Sequence, residues 1–136
     1  MTIFVLDSSA VLRFVDKEAG WNRIATILAA QMDQTAEVEI SAVQWGEIAG
    51  AVRKKLGVAG QNRALGLLAQ FQLRIISATA ERAVRAAEIK SDRKLPYADA
   101  FALELAMDLP DRVLVTADYD FKKVDDLAQI EFLPVN

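Results

Sequence analysis

The 136-residue chain has no cysteine and no histidine, and only three prolines and six glycines. Without cysteine there is no disulfide, no thiolate nucleophile and no thiolate metal site. That composition suits a reducing cytoplasm, which is the expected location. Without histidine there is no Ser-His-Asp triad, no Cys-His pair and no imidazole-bound zinc. Long apolar runs are missing too: none approaches the ~18 residues that a membrane span requires. The N-terminus lacks a basic stretch and places Asp7 where an apolar signal core would run, so no signal peptide is expected. Positive charge is also in short supply, with 16 Lys and Arg against 19 Asp and Glu, for a net charge of −3. Proteins that coat nucleic acid through their own charge are basic. A nucleic-acid substrate would therefore need the acid offset locally, and a divalent cation does this.

Apolar content is what the chain has in quantity, at 53%. A chain of this length buries roughly 68% of its unfolded surface, enough for one real core, and a single domain over residues 1–136 is expected. Ile3 to Leu6 is an unbroken apolar run closed by Asp7, the pattern of a strand covered on both faces. Ser8 and Ser9 can cap a short helix beginning near Ala10. Trp21, Ile24, Ala25, Leu28 and Met32 keep helical spacing. Ala36 to Ile40 alternates apolar and acidic residues and predicts a half-exposed strand. Ser41-x-x-Gln44 is a capping-box pattern, and the helix it opens has a stripe of Trp45, Ile48, Ala49, Val52 and Leu56 before Gly57 ends it. Ala64, Leu65, Leu68 and Phe71 stripe another helix, and Leu73 to Ile76 predicts a third strand. Thr79 caps a helix whose predicted core face is Ala80, Ala83, Val84 and Ala87, with Glu81, Arg82, Arg85 and Glu88 outside. Pro96 suits a first helical turn, and Tyr97 to Asp108 is apolar almost all round, the mark of a buried helix. Val113 to Thr116 is a second unbroken strand run, and Ile130 to Leu133 predicts a fifth strand. Strands alternating with helices predict an α/β fold: a three-layer sandwich around a mostly parallel sheet of four or five strands.

Four acids stand out against this frame. Asp7 and Asp118 each follow a buried strand run, at the sheet edge where open α/β folds bind ligands. Either could equally be a cap or turn residue. Asp99 is more informative, because Ala102, Leu103 and Ala106 place it at the head of an apolar face. A helix dipole accounts for ~0.3–1 kcal/mol on an exposed first-turn acid. It does not account for a buried, unpaired one, which costs several kcal/mol or takes up a proton. Glu47 lies beside its helix stripe, where a solvated side chain is the default. Ser9 and Thr116 stand within two residues of a key Asp and are candidates for hydrogen-bonded support. Clustered carboxylates without His or Cys select a hard cation, Mg²⁺, Mn²⁺ or Ca²⁺, and acid sites that hold such ions commonly split phosphodiesters.

The ordered motifs Leu6-Asp7-Ser8-Ser9-Ala10, Ser41-Ala42-Val43-x-x-x-Glu47, Pro96-Tyr97-Ala98-Asp99-Ala100 and Thr116-Ala117-Asp118-Tyr119-Asp120-Phe121 resemble those of PIN domains. Within that family the chain is similar to the VapC toxins of bacterial toxin–antitoxin pairs. The resemblance spans nearly the whole chain and rests on four motifs in order. It implies an α/β sandwich and an endoribonuclease dependent on Mg²⁺, with Mn²⁺ as a substitute. It further implies a homodimer, RNA as substrate and a cognate VapB-type antitoxin as inhibitor. The family's four acids map to Asp7, Glu47, Asp99 and Asp118, as both catalytic and metal-binding residues. Its hydroxyls map to Ser9 and Thr116, and Asp120 is an auxiliary acid. Two alternatives stay open at this point. One is phosphoryl transfer through an aspartyl phosphate at Asp7, although Ser9 stands where a phosphatase of that kind has a second Asp. The other is a PIN-like scaffold that only binds partners.

Overall fold

The computed structural model describes residues 1–135. Five strands, β1 (Ile3–Leu6), β2 (Glu37–Ser41), β3 (Arg74–Ile76), β4 (Arg112–Thr116) and β5 (Gln129–Phe132), form one sheet in the order β3-β2-β1-β4-β5. Every pairing is parallel. The first strand of the sequence is thus the middle strand of the sheet, and strand order reverses on either side of it. Along β1 the side chains alternate between two cores. Leu6 joins Val38, Ile40 and Val115 under the helices α1 (Ser8–Asp16), α2 (Trp21–Met32) and α3 (Ala42–Ala69). Val5 and Leu114 join the opposite core, under α4 (Ala80–Arg93), α5 (Tyr97–Met107) and a 3-10 helix over Tyr119–Val124. The three-layer sandwich and its parallel sheet are those expected from the sequence. No helix of the described residues is long and apolar enough to cross a membrane.

The main helical signals hold. α3 is interrupted at Gly57, whose φ of 74° and ψ of −171° lie outside helical space, so the stop expected there divides the element in two. α5 is buried from Ala100 through Ala106. Thr79 caps α4, its Oγ1 accepting from Arg82 N at 3.2 Å.

Four expectations need correction. The cap of α1 is Asp7, not Ser8 or Ser9: Asp7 Oδ1 accepts from Ala10 N at 3.0 Å, and both serines lie in the first turn. The strand β2 is not half exposed. It lies between β1 and β3, and Val38, Glu39 and Ile40 are all buried. The core face of α4 is also rotated from the one expected: Ala86 is buried, Arg82, Ala83 and Ile89 are half-buried, and Val84 is 59% exposed. The cause is Glu104 on α5, 2% exposed, which draws Arg82 Nη1 to 3.0 Å and Arg85 Nη2 to 2.6 Å. Finally, Leu56 does not bury with the α3 stripe; it is 52% exposed, next to the break at Gly57.

Candidate active site

The parallel sheet puts the ends of β1 and β4 side by side, with Leu6 opposite Val115. Asp7 and Thr116 therefore emerge together. Asp7 is 2% exposed, and its carboxylate is held by hydroxyls from two segments. Ser9 Oγ donates to Oδ1 at 2.6 Å, and Thr116 Oγ1 donates to Oδ2 at 2.8 Å. Each hydroxyl carries one proton, so both are spent on Asp7, and the 3.2 Å contact between Ser9 Oγ and Thr116 Oγ1 holds neither. The hydroxyl lone pairs are used as well: Ala117 N donates to Ser9 Oγ at 3.0 Å, and Asp118 N to Thr116 Oγ1 at 2.9 Å. The support expected from Ser9 and Thr116 is thus present atom by atom. Burial pushes the Asp7 carboxyl up, against the lowering effect of its hydrogen bonds to Ser9, Thr116 and Ala10, and Asp118 adds a smaller upward push. Three of the roughly four acceptor positions of Asp7 are taken within the chain; the fourth, on Oδ2, is open to a cation.

Asp118 follows Thr116, is half-buried and caps the 3-10 helix, its Oδ1 accepting from Asp120 N at 2.9 Å. Asp99 stands in the first turn of α5 and is half-buried. Its pKa is raised from 3.8 to about 7, first by burial and then by the charges of Asp7, Asp118, Glu47 and Asp120. The four motif acids therefore share one electrostatic neighbourhood at one edge of the sheet, with Asp120 as the fifth and weakest member. Of the four motif acids Glu47 is the exposed one, held by Ser8 Oγ, which donates to its Oε1 at 3.1 Å. Among the described residues no basic side chain forms an ion pair with this group. The ion pairs among the described residues use other acids: Asp16, Glu37, Glu39, Glu104, Asp108, Asp126 and Glu131.

The donor set is all oxygen and all hard, which fits Mg²⁺ or Mn²⁺. Among the described residues no group of three or more acidic side chains forms a ready cage for one ion. Two cavities, of about 420 and 500 Å³, lie elsewhere, around the C-terminal part of α5. Of the charges lining the first, Arg85 pairs with Glu104 and Arg93 with Asp126 beyond the lining, while Glu88 and Asp92 form no ion pair among the described residues.

The sequence reasoning missed Gln44. It is 0% exposed, Oε1 accepts from Ser8 N at 2.6 Å, and Nε2 donates to Ala98 O at 2.6 Å. The capping-box reading of this residue fails: Ser41 Oγ accepts from Val43 N at 3.2 Å, while Gln44 turns away toward α1 and α5. The signal that could have found it is its place one helical turn before Glu47.

A family model described as the PIN domain matches residues 4–127. No curated protein matches the chain. Among solved structures, VapBC2 from Rickettsia felis bound to a DNA fragment from their promoter shares 18% identity, with 98% of this chain and 100% of that one covered, at a TM-score of 0.76. VapBC-1 from nontypeable Haemophilus influenzae shares 18% over 96% and 98% of the two chains, at 0.69. Mycobacterium tuberculosis VapC20, a sarcin-ricin loop cleaving toxin, shares 18% over 90% and 95%, also at 0.69.

Proposed function

The chain belongs to the PIN-domain family, and from that premise we propose that it is the toxin of a toxin–antitoxin pair, a Mg²⁺-dependent endoribonuclease forming one PIN domain over residues 1–136. The observation that carries the chemistry is Asp99: a half-buried carboxyl raised to about 7 by burial and by other carboxylates, with no ion pair among the described residues. Such a cluster is stable in its charged form only around a cation. In this reading Asp7 and Asp99 hold Mg²⁺, or Mn²⁺ in its place, most directly. Glu47 and Asp118 complete the site through water or a second ion. Bound there, the ion supplies a water of lowered pKa and neutralises charge developing on the phosphate. Ser9 and Thr116 fix the plane of Asp7, and Asp118 caps the 3-10 helix that follows β4.

Three partners follow: RNA at the acid site, a VapB-type antitoxin and a second copy of the chain, all in the cytoplasm. The neighbours described as VapBC complexes support the antitoxin. The outer face of α4, where Ala80, Val84 and Ala87 are exposed, supports the second copy. Two such helices laid antiparallel about a twofold axis set Val84 against Ala87 and Glu81 against Lys90.

The test is a digestion of total RNA by antitoxin-free protein, with Mg²⁺ and then with excess chelator. Fragments carrying 5′-phosphate and 3′-hydroxyl ends are expected with the metal and none with chelator. Cleavage that persists in chelator, or a phosphorylated aspartate in place of RNA fragments, would overturn the reading.

A further inference from the structure

We propose that Gln44 is a positioning residue of the acid site, its buried carboxamide fixing the separation between the segment that carries Asp7 and the helix start that carries Asp99. The proposal rests on the metal-dependent nuclease reading and deepens it. Ser8 N is the first N–H of α1, one of the donors a helix leaves without an internal partner. Gln44 Oε1 accepts from it across 36 positions of sequence, while Gln44 Nε2 donates to Ala98 O across 54. Ser8 directly follows Asp7, and Ala98 directly precedes Asp99. Glu47 lies one turn further along α3, its own carboxylate bonded to Ser8 Oγ. One planar amide thus ties together the backbones beside two of the acids and belongs to the helix that carries a third.

The chemistry of the tie is specific to an amide. It needs a donor and an acceptor on one rigid group, with no charge. Glutamate would set an oxygen against the Ala98 carbonyl and add to a cluster whose charges already repel. Methionine keeps the length but loses both bonds. Asparagine keeps both functions but is one methylene too short to span the same gap. Without the tie α1 and α5 keep their own packing, so the loss falls on the spacing of Asp7 and Asp99. Carboxylates that share one octahedral ion tolerate little change in spacing.

Two variants, Gln44→Met and Gln44→Asn, test this. Each is melted across a Mn²⁺ series and assayed for RNA cleavage beside the unmodified protein. The Mn²⁺ concentration giving half of the melting shift should rise at least tenfold. The kcat should fall at least tenfold, while KM for RNA stays within twofold. A variant that melts lower without metal, yet keeps the wild-type Mn²⁺ midpoint and kcat, shows an ordinary packing residue and overturns the proposal. If neither variant folds, the unmodified protein still decides. Amide exchange at Ser8 should be slowed at least a hundredfold relative to an open chain, since Gln44 is its partner; exchange at the open-chain rate overturns the proposal. A missing Mn²⁺ shift in the unmodified protein would sink the metal-site reading and this one together. A wild-type shift that is unchanged in Gln44→Met would sink this one alone.

Discussion

Asp99 carries a penalty that a cation would remove. Its pKa near 7 in the folded chain compares with 3.8 for an unhindered aspartate. Between about pH 4 and pH 7, then, the cation-free fold holds a proton that the unfolded chain has released. Stability from this group is greatest below pH 4 and falls as pH rises through 7. Asp99→Asn removes that dependence. Melting curves in chelator should show the variant losing less melting temperature than wild type between pH 4.5 and 7.5, and matching or exceeding it at pH 7.5. The same variant should lose most of its Mn²⁺-induced shift and nearly all RNA cleavage. Equal pH slopes in the two proteins, or cleavage at the wild-type rate, would refute the assignment. Asp120→Asn should be milder, because Asp120 is the weakest of the charges acting on Asp99. Asp7, Asp99 and Asp118 stand out in the sequence because each sits where a secondary-structure signal ends or begins, whereas Glu47, inside α3, stands out only through its motif. Gln44 was not, because a glutamine three places after a serine has a sufficient local explanation, and its true partners lie 36 and 54 residues away.

Two elements were misread, β2 and α4, and for one physical reason. Each carries a charge that local pattern assigns to solvent, and each turns it inward to a partner remote in sequence. Glu39 on β2 is 1% exposed, with Arg112 Nη2 of β4 2.7 Å from its Oε1. Arg82 on α4 meets Glu104 on α5. Periodicity scores such residues as outward, so β2 read as half exposed and α4 read with its face rotated. The strand β1, which holds no charged residue, declared its burial correctly. The buried pair yields its own test. Arg112→Met leaves Glu39 with only Arg74, whose Nη1 is 3.6 Å away and largely in solvent. An uncompensated buried charge costs about 3–5 kcal/mol, so denaturant unfolding should show a loss of that order. The Mn²⁺ midpoint should not move, since neither residue takes part in the hydrogen bonds that hold Asp7. A loss under 1 kcal/mol would mean that Glu39 is not held as an ion.

For the molecule as a whole, the exposed apolar surface predicts company. Val84 at 59% and Tyr97 at 42% flank the outer side of α4, where Tyr97 Oη donates to Ala83 O at 3.3 Å. Sedimentation at high concentration is expected to give twice the chain mass, and Val84→Glu is expected to give the monomer with unchanged far-UV dichroism. A wild-type monomer at the highest attainable concentration would remove the second copy from the account. The sheet order has a further consequence, which concerns synthesis. The middle strand is made first, yet its neighbour β4 pairs with it from Arg112 onward, and the Thr116 hydroxyl reaches Asp7 across 109 positions. Contacts of such separation form slowly and late, and a ribosome adds only about 5–20 residues each second. For several seconds the nascent chain has Asp7 but neither Thr116 nor Asp118, and so an incomplete acid cluster. A chain halted before Arg112 is expected to bind no Mn²⁺, with no shift in its melting or tryptophan fluorescence across a Mn²⁺ series.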